Sequence, residues 1–267
     1  MMLEGIHMFE RVHLKKINDH IYLMDDNHET SGYIVIGSKK AVIIDTMNGY
    51  ENVYEIARTV TDLPLMVINT HGHPDHIYGN IYFEEVYIHP EDMELAHLFF
   101  QDPEFVSQTA SYGLKPAKML PINPGDMVDL GDLELEIIGL PGHSKGSICL
   151  LSKKDRILFV GDVMVGHTWM QLDWCLPLEE MLHNLNEFSK RWEEFDYVSS
   201  GHWTELVPVS FCKLQRDAVA SVLAGDTKDD EDYTWFGGTC KAHPYSDETG
   251  ENHYKIVYDP KNLRRII

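Results

Sequence analysis

The sequence predicts one domain of mixed strands and helices spanning residues 1–267. Short β-prone runs recur through both halves, and stretches of helical apolar spacing fall between them. No internal repeat, low-complexity tract or linker divides the chain. A length of 267 residues is within reach of a single core.

Taken in order, Ile21–Met24, Tyr33–Ile36 and Ala41–Ile44 are expected strands, the last two split by the turn Gly37-Ser38-Lys39-Lys40. Glu51–Val60 reads as helix and Leu65–Asn69 as a short apolar strand ending at the polar stretch Thr70–His76. Val86–His89 is strand-like. Pro90 and the two acids behind it open a helix reaching about Phe100. Gln101–Pro124 has mixed periodicity, which fits either a flap over a site or an irregular surface connection. Strands resume at Leu133–Ile138, Ser147–Leu151 and Ile157–Val160. Leu178, Met181, Leu182, Leu185 and Phe188 recur at helical spacing, predicting a helix from about Pro177 to Trp192. Tyr197–Ser200 is a short strand, and a helix over Val209–Leu223 stops before Gly225. Asp226–Asp232 is an expected acidic loop and His253–Tyr258 a closing strand.

Composition narrows the partners. There are 43 acidic and 22 basic residues, a formal charge of −21, and such a surface repels phosphate backbones. Nucleic acid is therefore not expected as a partner. A small molecule is. The acidity most simply serves solubility. No apolar run of spanning length occurs, so no membrane helix is expected. Met1–Leu14 lacks a basic stretch followed by an apolar core, so no signal peptide is expected. Cys149, Cys175, Cys212 and Cys240 lack CxxC spacing and read as reduced, mostly buried residues of a cytoplasmic protein.

Four short segments carry chemistry, each after an apolar strand-like run. They are His71-Gly72-His73-Pro74-Asp75-His76, Gly142-His143-Ser144, Gly161-Asp162 and Gly201-His202. Strand ends are held by a sheet yet face a cleft, which suits metal ligands. Imidazole and carboxylate suit zinc and other divalent transition metals. Taken singly, His202 would be an ordinary surface or core histidine and Gly161-Asp162 an ordinary turn. Packing offers no reason to crowd three histidines into His71–His76, and side chains diverging along so tight a loop serve two adjacent ions more easily than one.

The HxHxDH pattern of His71–His76, followed by His143, Asp162 and His202, resembles the metallo-β-lactamase superfamily over most of the chain. Asp45, closing the run Ala41–Ile44, matches that family's early aspartate, which braces the metal loop. The resemblance implies an α+β fold, an αββα sandwich with metals at one edge between the sheets. Carried over, His71, His73 and His143 would hold one ion. Asp75, His76 and His202 would hold a second, and Asp162 would bridge both. The cofactors implied are two divalent ions, zinc by default, with iron or manganese as alternatives.

Departures from the family pattern shape the expected reaction. Zinc β-lactamases of the main subclass carry cysteine where Asp162 stands, and diiron flavoproteins of this fold carry glutamate where His73 stands. Nucleic-acid-processing members usually have larger inserted domains or basic clamps, which this chain lacks. Glyoxalase II and acyl-homoserine lactonases look closer, although a further histidine commonly sits in their second motif near Gly146 and Ser147. The expected function is therefore a metal-dependent hydrolase directing a dinuclear-metal-activated hydroxide at a small ester, thioester or lactone. Asp75 would orient the nucleophile or shuttle its proton. A mononuclear iron persulfide-dioxygenase-like oxidoreductase and a small phosphodiesterase are the alternatives. His167 and Trp169 would line the pocket or sit on an exposed loop, and packing and solvation account for Tyr78 and Lys145. None of these four is placed in the site.

Overall fold

In the computed structural model, which describes residues 9–247, 249–250 and 253–264, alternating burial along the strands builds two stacked sheets. The first runs in chain order: β1 (Val12–Lys16), β2 (Ile21–Asp26), β3 (Thr30–Ile36), β4 (Ala41–Ile44), β5 (Leu65–Ile68), β6 (Glu85–Ile88) and β7 (Lys118–Pro121). Pairing is antiparallel from β1 to β4 and parallel from β4 to β7. The second sheet contains β8 (Met127–Asp129), β9 (Glu134–Gly139), β10 (Ile148–Ser152) and β11 (Ile157–Gly161). After β12 (His167–Met170) has left for a third sheet, β13 (Tyr197–Ser200) and β14 (Val207–Pro208) complete it in the order β14-β13-β11-β10-β9-β8.

Strand alternation divides the apolar residues between layers. Val42 and Ile44 pack between the sheets with Ile68, Ile137, Leu150 and Phe159. Ala41 and Ile43 face outward, onto Val53, Ile56 and Ala57 of α1 (Val53–Arg58). On the opposite outer face, α5 (Leu178–Phe188) and α6 (Ser210–Ala224) lay Met181, Leu185, Phe211 and Val219 against Cys149, Leu151, Leu158 and Val160. The result is the expected αββα sandwich. The short α2 (Pro74–Ile77), then α3 (Pro90–Phe100) and α4 (Pro103–Ser111), cluster around Ile77, Phe100 and Phe105. The helix expected over Val209–Leu223 ends where Gly225 adopts φ +87°, a left-handed cap that spares it a Cβ clash.

Several expectations require correction. Gln101–Pro124 is neither a flap nor an irregular connection. Asp102 caps α4 by accepting from the amides of Glu104 and Phe105, and β7 then extends the first sheet beside β6. The acidic loop Asp226–Asp232 yields at Glu231 to β15 (Glu231–Trp235), which forms a hairpin with β16 (Gly238–Ser246). β17 (His253–Tyr258) and β12 join them in a third sheet ordered β12-β17-β16-β15. His167 and Trp169 therefore belong to a strand. All four cysteines are free and buried. Among the described residues no helix is long and apolar enough to cross a membrane. Residues 1–8 of the stretch read for a leader lie outside the described residues.

Candidate metal centre

β4 and β5 in one sheet, and β11 and β13 in the other, run parallel, so their C-terminal ends meet at one edge. The loops leaving β5, β9, β11 and β13 bring five imidazole or carboxylate side chains, and α2 adds Asp75 and His76, into two adjoining groups. His71, His73 and His143 form one group, with a ligating atom from each within 4.8 Å of the others. Asp75, His76, Asp162 and His202 form the second by the same measure. All seven residues expected at the site are thus brought together.

On His71, His76, His143 and His202 the outer imidazole nitrogen is held by the backbone or by a fixed polar group, which orients the inner one. His143 Nδ1 donates to the Trp169 carbonyl at 2.7 Å and His202 Nδ1 to the Glu29 carbonyl at 2.7 Å. His76 Nδ1 donates to Asp45 Oδ2 at 2.9 Å. Asp45 also accepts from the Thr70 amide and hydroxyl, each at 2.7 Å, and His71 Nδ1 lies 3.0 Å from that hydroxyl oxygen. Asp45 thereby braces the loop, as expected, from a left-handed conformation at φ +60° that aspartate tolerates better than most residues.

Inside the first group, His73 Nδ1 is 2.9 Å from His71 Nε2 and 2.8 Å from His143 Nε2. With the outer nitrogens of His71 and His143 occupied as donors, the three facing nitrogens have at most one proton to share among three lone pairs. A cation satisfies such an arrangement. In the second group Asp162 reaches both sides: Oδ2 is 2.9 Å from His202 Nε2 and 3.8 Å from His143 Nε2, and Oδ1 is 3.4 Å from His76 Nε2. His73 Nε2, His76 Nε2 and Asp162 Oδ1 are buried without a hydrogen-bond partner among the described residues. Buried polar atoms left in that state need a ligand. The donor set, with His76 Nε2 and Asp162 Oδ1 orphaned within it, therefore fits divalent metal, and His73 presents Nδ1 to it.

The protonation states divide the same way. Burial, reinforced by the neighbouring imidazoles, holds His71 and His73 well below the ordinary histidine range, and burial likewise lowers His143. Neutral imidazole is the form that ligates. Burial opposes charge on His76 and His202, but the carboxylates outweigh it. Asp162, Asp75 and Asp45 raise His76 well above its usual value, and Asp162 and Asp75 bring His202 to about 9.

Glycine is required at two approaches. Gly161 has φ +52°, and a Cβ there would collide with Thr70 Oγ1. A Cβ on Gly201 would strike the His76 ring and come within 2.7 Å of Asp162 Oδ1. These two glycines precede Asp162 and His202 because a side chain would occupy the site.

Sequence reasoning missed Asp92, whose acid reads locally as one of two helix openers. Its buried carboxylate accepts from the Gly72 amide at 2.9 Å, the Gly146 amide at 2.6 Å and the Ser144 hydroxyl at 2.6 Å. It thus ties the His71–His76 loop to the His143 loop. Asp92→Ala is expected to lower stability by roughly 2–4 kcal/mol, since buried donors lose a charged acceptor. Metal affinity should fall about 10–100-fold, as for partners that orient ligands. Denaturation and metal titration measure the two losses, and unchanged metal affinity would remove Asp92 from the ligand-positioning role.

A cavity of about 570 Å³ opens beside the ligands, bounded on its far side by Phe99, Leu172, Trp174 and Phe236. His167 and Trp169 line it too, so they belong to the cleft and not to an exposed loop. None of the described lining residues comes from Gln101–Pro124.

The chain is similar to known proteins in sequence and in fold. The chain is 32% identical over 193 residues to human acyl-coenzyme A thioesterase MBLAC2, covering 60% of this chain and 68% of that protein. It is 29% identical over 138 residues to hydroxyacylglutathione hydrolase of Vibrio cholerae, covering 52% and 48% respectively. The crystal structure of a metallo-beta-lactamase family protein from Thermus thermophilus shares the fold, with TM-score 0.63 at 18% identity, covering 79% of this chain and 82% of that one. The family model described as the metallo-beta-lactamase superfamily matches residues 25–202, and this chain belongs to that superfamily.

Proposed function

We propose that the chain hydrolyses a small carbonyl ester, thioester or lactone with two divalent ions, zinc by default, and that thioesters are the class it serves best. The observation carrying this reading is the pair of adjoining donor groups with Asp162 reaching both. His71, His73 and His143 would hold one ion, Asp75, His76 and His202 the other, and Asp162 both. When bound, such ions polarise a carbonyl oxygen and bring the pKa of water from 15.7 towards about 7.

The remaining work falls to the chain. Asp45, Thr70 and the carbonyls of Trp169 and Glu29 keep the ligating nitrogens aimed inward. Asp75 lines the cleft with its side chain partly exposed, so its carboxylate can accept a proton from water and return it to the leaving group. The aromatic walls keep bulk water from the reacting carbonyl. The same reading takes residues 1–267 as one domain acting in the cytoplasm on a diffusible small molecule.

Relatives support the thioester emphasis. The human one is named a thioesterase of acyl-coenzyme A and the Vibrio one a hydrolase of hydroxyacylglutathione, both enzymes of acyl compounds. A mononuclear iron reading leaves the second donor group without a task. A phosphodiesterase reading finds no Lys or Arg among the described residues lining the cleft. The test compares kcat/KM for a thioester, a lactone, a phosphodiester and a β-lactam at matched metal content. The thioester and the lactone should lead the phosphodiester and the β-lactam by at least about tenfold, the effect of one well-made interaction. Preference for the phosphodiester would overturn the substrate class while sparing the metal centre.

A further inference from the structure

We infer that the cleft beside the metal centre is a binding site for a hydrophobic acyl chain, covered by Phe236 at the tip of the β15–β16 hairpin. This rests on the hydrolytic reading only for naming the bound group as acyl. Beyond the candidate ligands and Pro74, the described walls are Phe99, Val165, Trp169, Leu172, Trp174 and Phe236, with His167 adding polarity. A volume of about 570 Å³ is that of a small-molecule site, and His73, Asp75, His143, Asp162 and His202 share its lining with the apolar residues. A carbonyl held at the ligands would therefore lead whatever is attached to it along apolar walls. Thiol carriers are polar, and no Lys or Arg among the described lining residues would anchor one. The apolar partner across the carbonyl is then the acyl group, with the thiol directed outward.

The hairpin supplies the cover. Trp235 pairs with Gly238 across the tip, which leaves Phe236 93% exposed although it lines the cleft. Its ring centroid lies 6.3 Å from that of Trp169. Tyr233 packs edge-on against His167 at 5.3 Å and Trp169 at 6.4 Å, which fixes β15 relative to β12. A phenyl ring left in water on this hairpin gains from being covered. A chain lying along the cleft side of Phe236 and Trp169, whose rings already touch, covers it, so these two residues set specificity for acyl length.

Two measurements test this, one independent of catalysis. The metal-loaded full chain is assayed with acetyl, butyryl, octanoyl and decanoyl thioesters of coenzyme A and of glutathione. kcat/KM should rise with each methylene, by up to about fourfold, until the walls end. The rise should follow the acyl group on both thiols. Metal-free chain is titrated with decanamide and with acetamide while tryptophan fluorescence is read, and only decanamide should shift it. Phe236 is too exposed for Phe236→Ser to disturb folding. That variant should lose about tenfold on decanoyl thioesters and clearly less on acetyl ones. Decanamide binding in a chain that hydrolyses no thioester would keep the acyl site and retire the thioester reading. Hydrolysis indifferent to acyl length, or gains that follow the hydrophobicity of the thiol, would overturn the proposal.

Discussion

Asp162→Ala is expected to lose both ions together and to lower kcat/KM on the order of 10³-fold or more, the equivalent of several kcal/mol of lost charge stabilisation. The reason is positional. Its two oxygens face His76 on one side and His143 and His202 on the other, so the carboxylate neutralises charge across the whole centre. His202 sits at the edge, with its inner nitrogen 3.4 Å from Asp75 Oδ2 and 2.9 Å from Asp162 Oδ2. His202→Ala should therefore weaken chiefly one ion and leave the His71, His73 and His143 group able to hold the other. Metal titration into each variant separates these outcomes. Equal loss of both ions in His202→Ala would show that the assignment of that side chain is wrong.

Removing the ions from the intact protein is expected to take hydrolysis to background and to lower thermal stability. Binding only to the folded state contributes about 2.7 kcal/mol when free metal is 100 times its dissociation constant. For a chain of this size that corresponds to roughly 5–10 °C in Tm. The metal-free centre also leaves Asp45, Asp75 and Asp162 close together in a chain of formal charge −21, with only imidazoles to offset them. Re-addition of zinc should restore both readouts. An undiminished rate after chelation would remove metal from the reaction altogether.

How much could be read in advance depended on whether a signal was local. β4 was legible because Ala41–Ile44 is buried on both faces and so reads as an unbroken apolar run. α6 was legible because apolar spacing on one face meets a terminating Gly225. β1 was not, since Val12 is its only fully buried residue and the strand otherwise reads as polar. β15 hid for the same reason, with none of its residues fully buried at the edge of the third sheet. The HxHxDH cluster could be read because ligands crowded into six residues have no packing explanation. The cleft walls could not. Phe99 ends α3, Trp169 lies on β12, Trp174 follows it, and Phe236 tips a distant hairpin, so only the fold unites them. Asp92 was hidden by an ordinary virtue, because a carboxylate in the first turn of a helix needs no further reason to be there.

Elemental analysis of the purified chain after repletion with divalent metal tests the central claim most directly. Two adjoining donor groups, with Asp162 in one and 3.8 Å from His143 of the other, should bind about two ions per chain, with zinc competent and iron or manganese able to substitute. One iron per chain, with no second ion at any added concentration, would contradict the dinuclear centre and favour the mononuclear oxidoreductase reading.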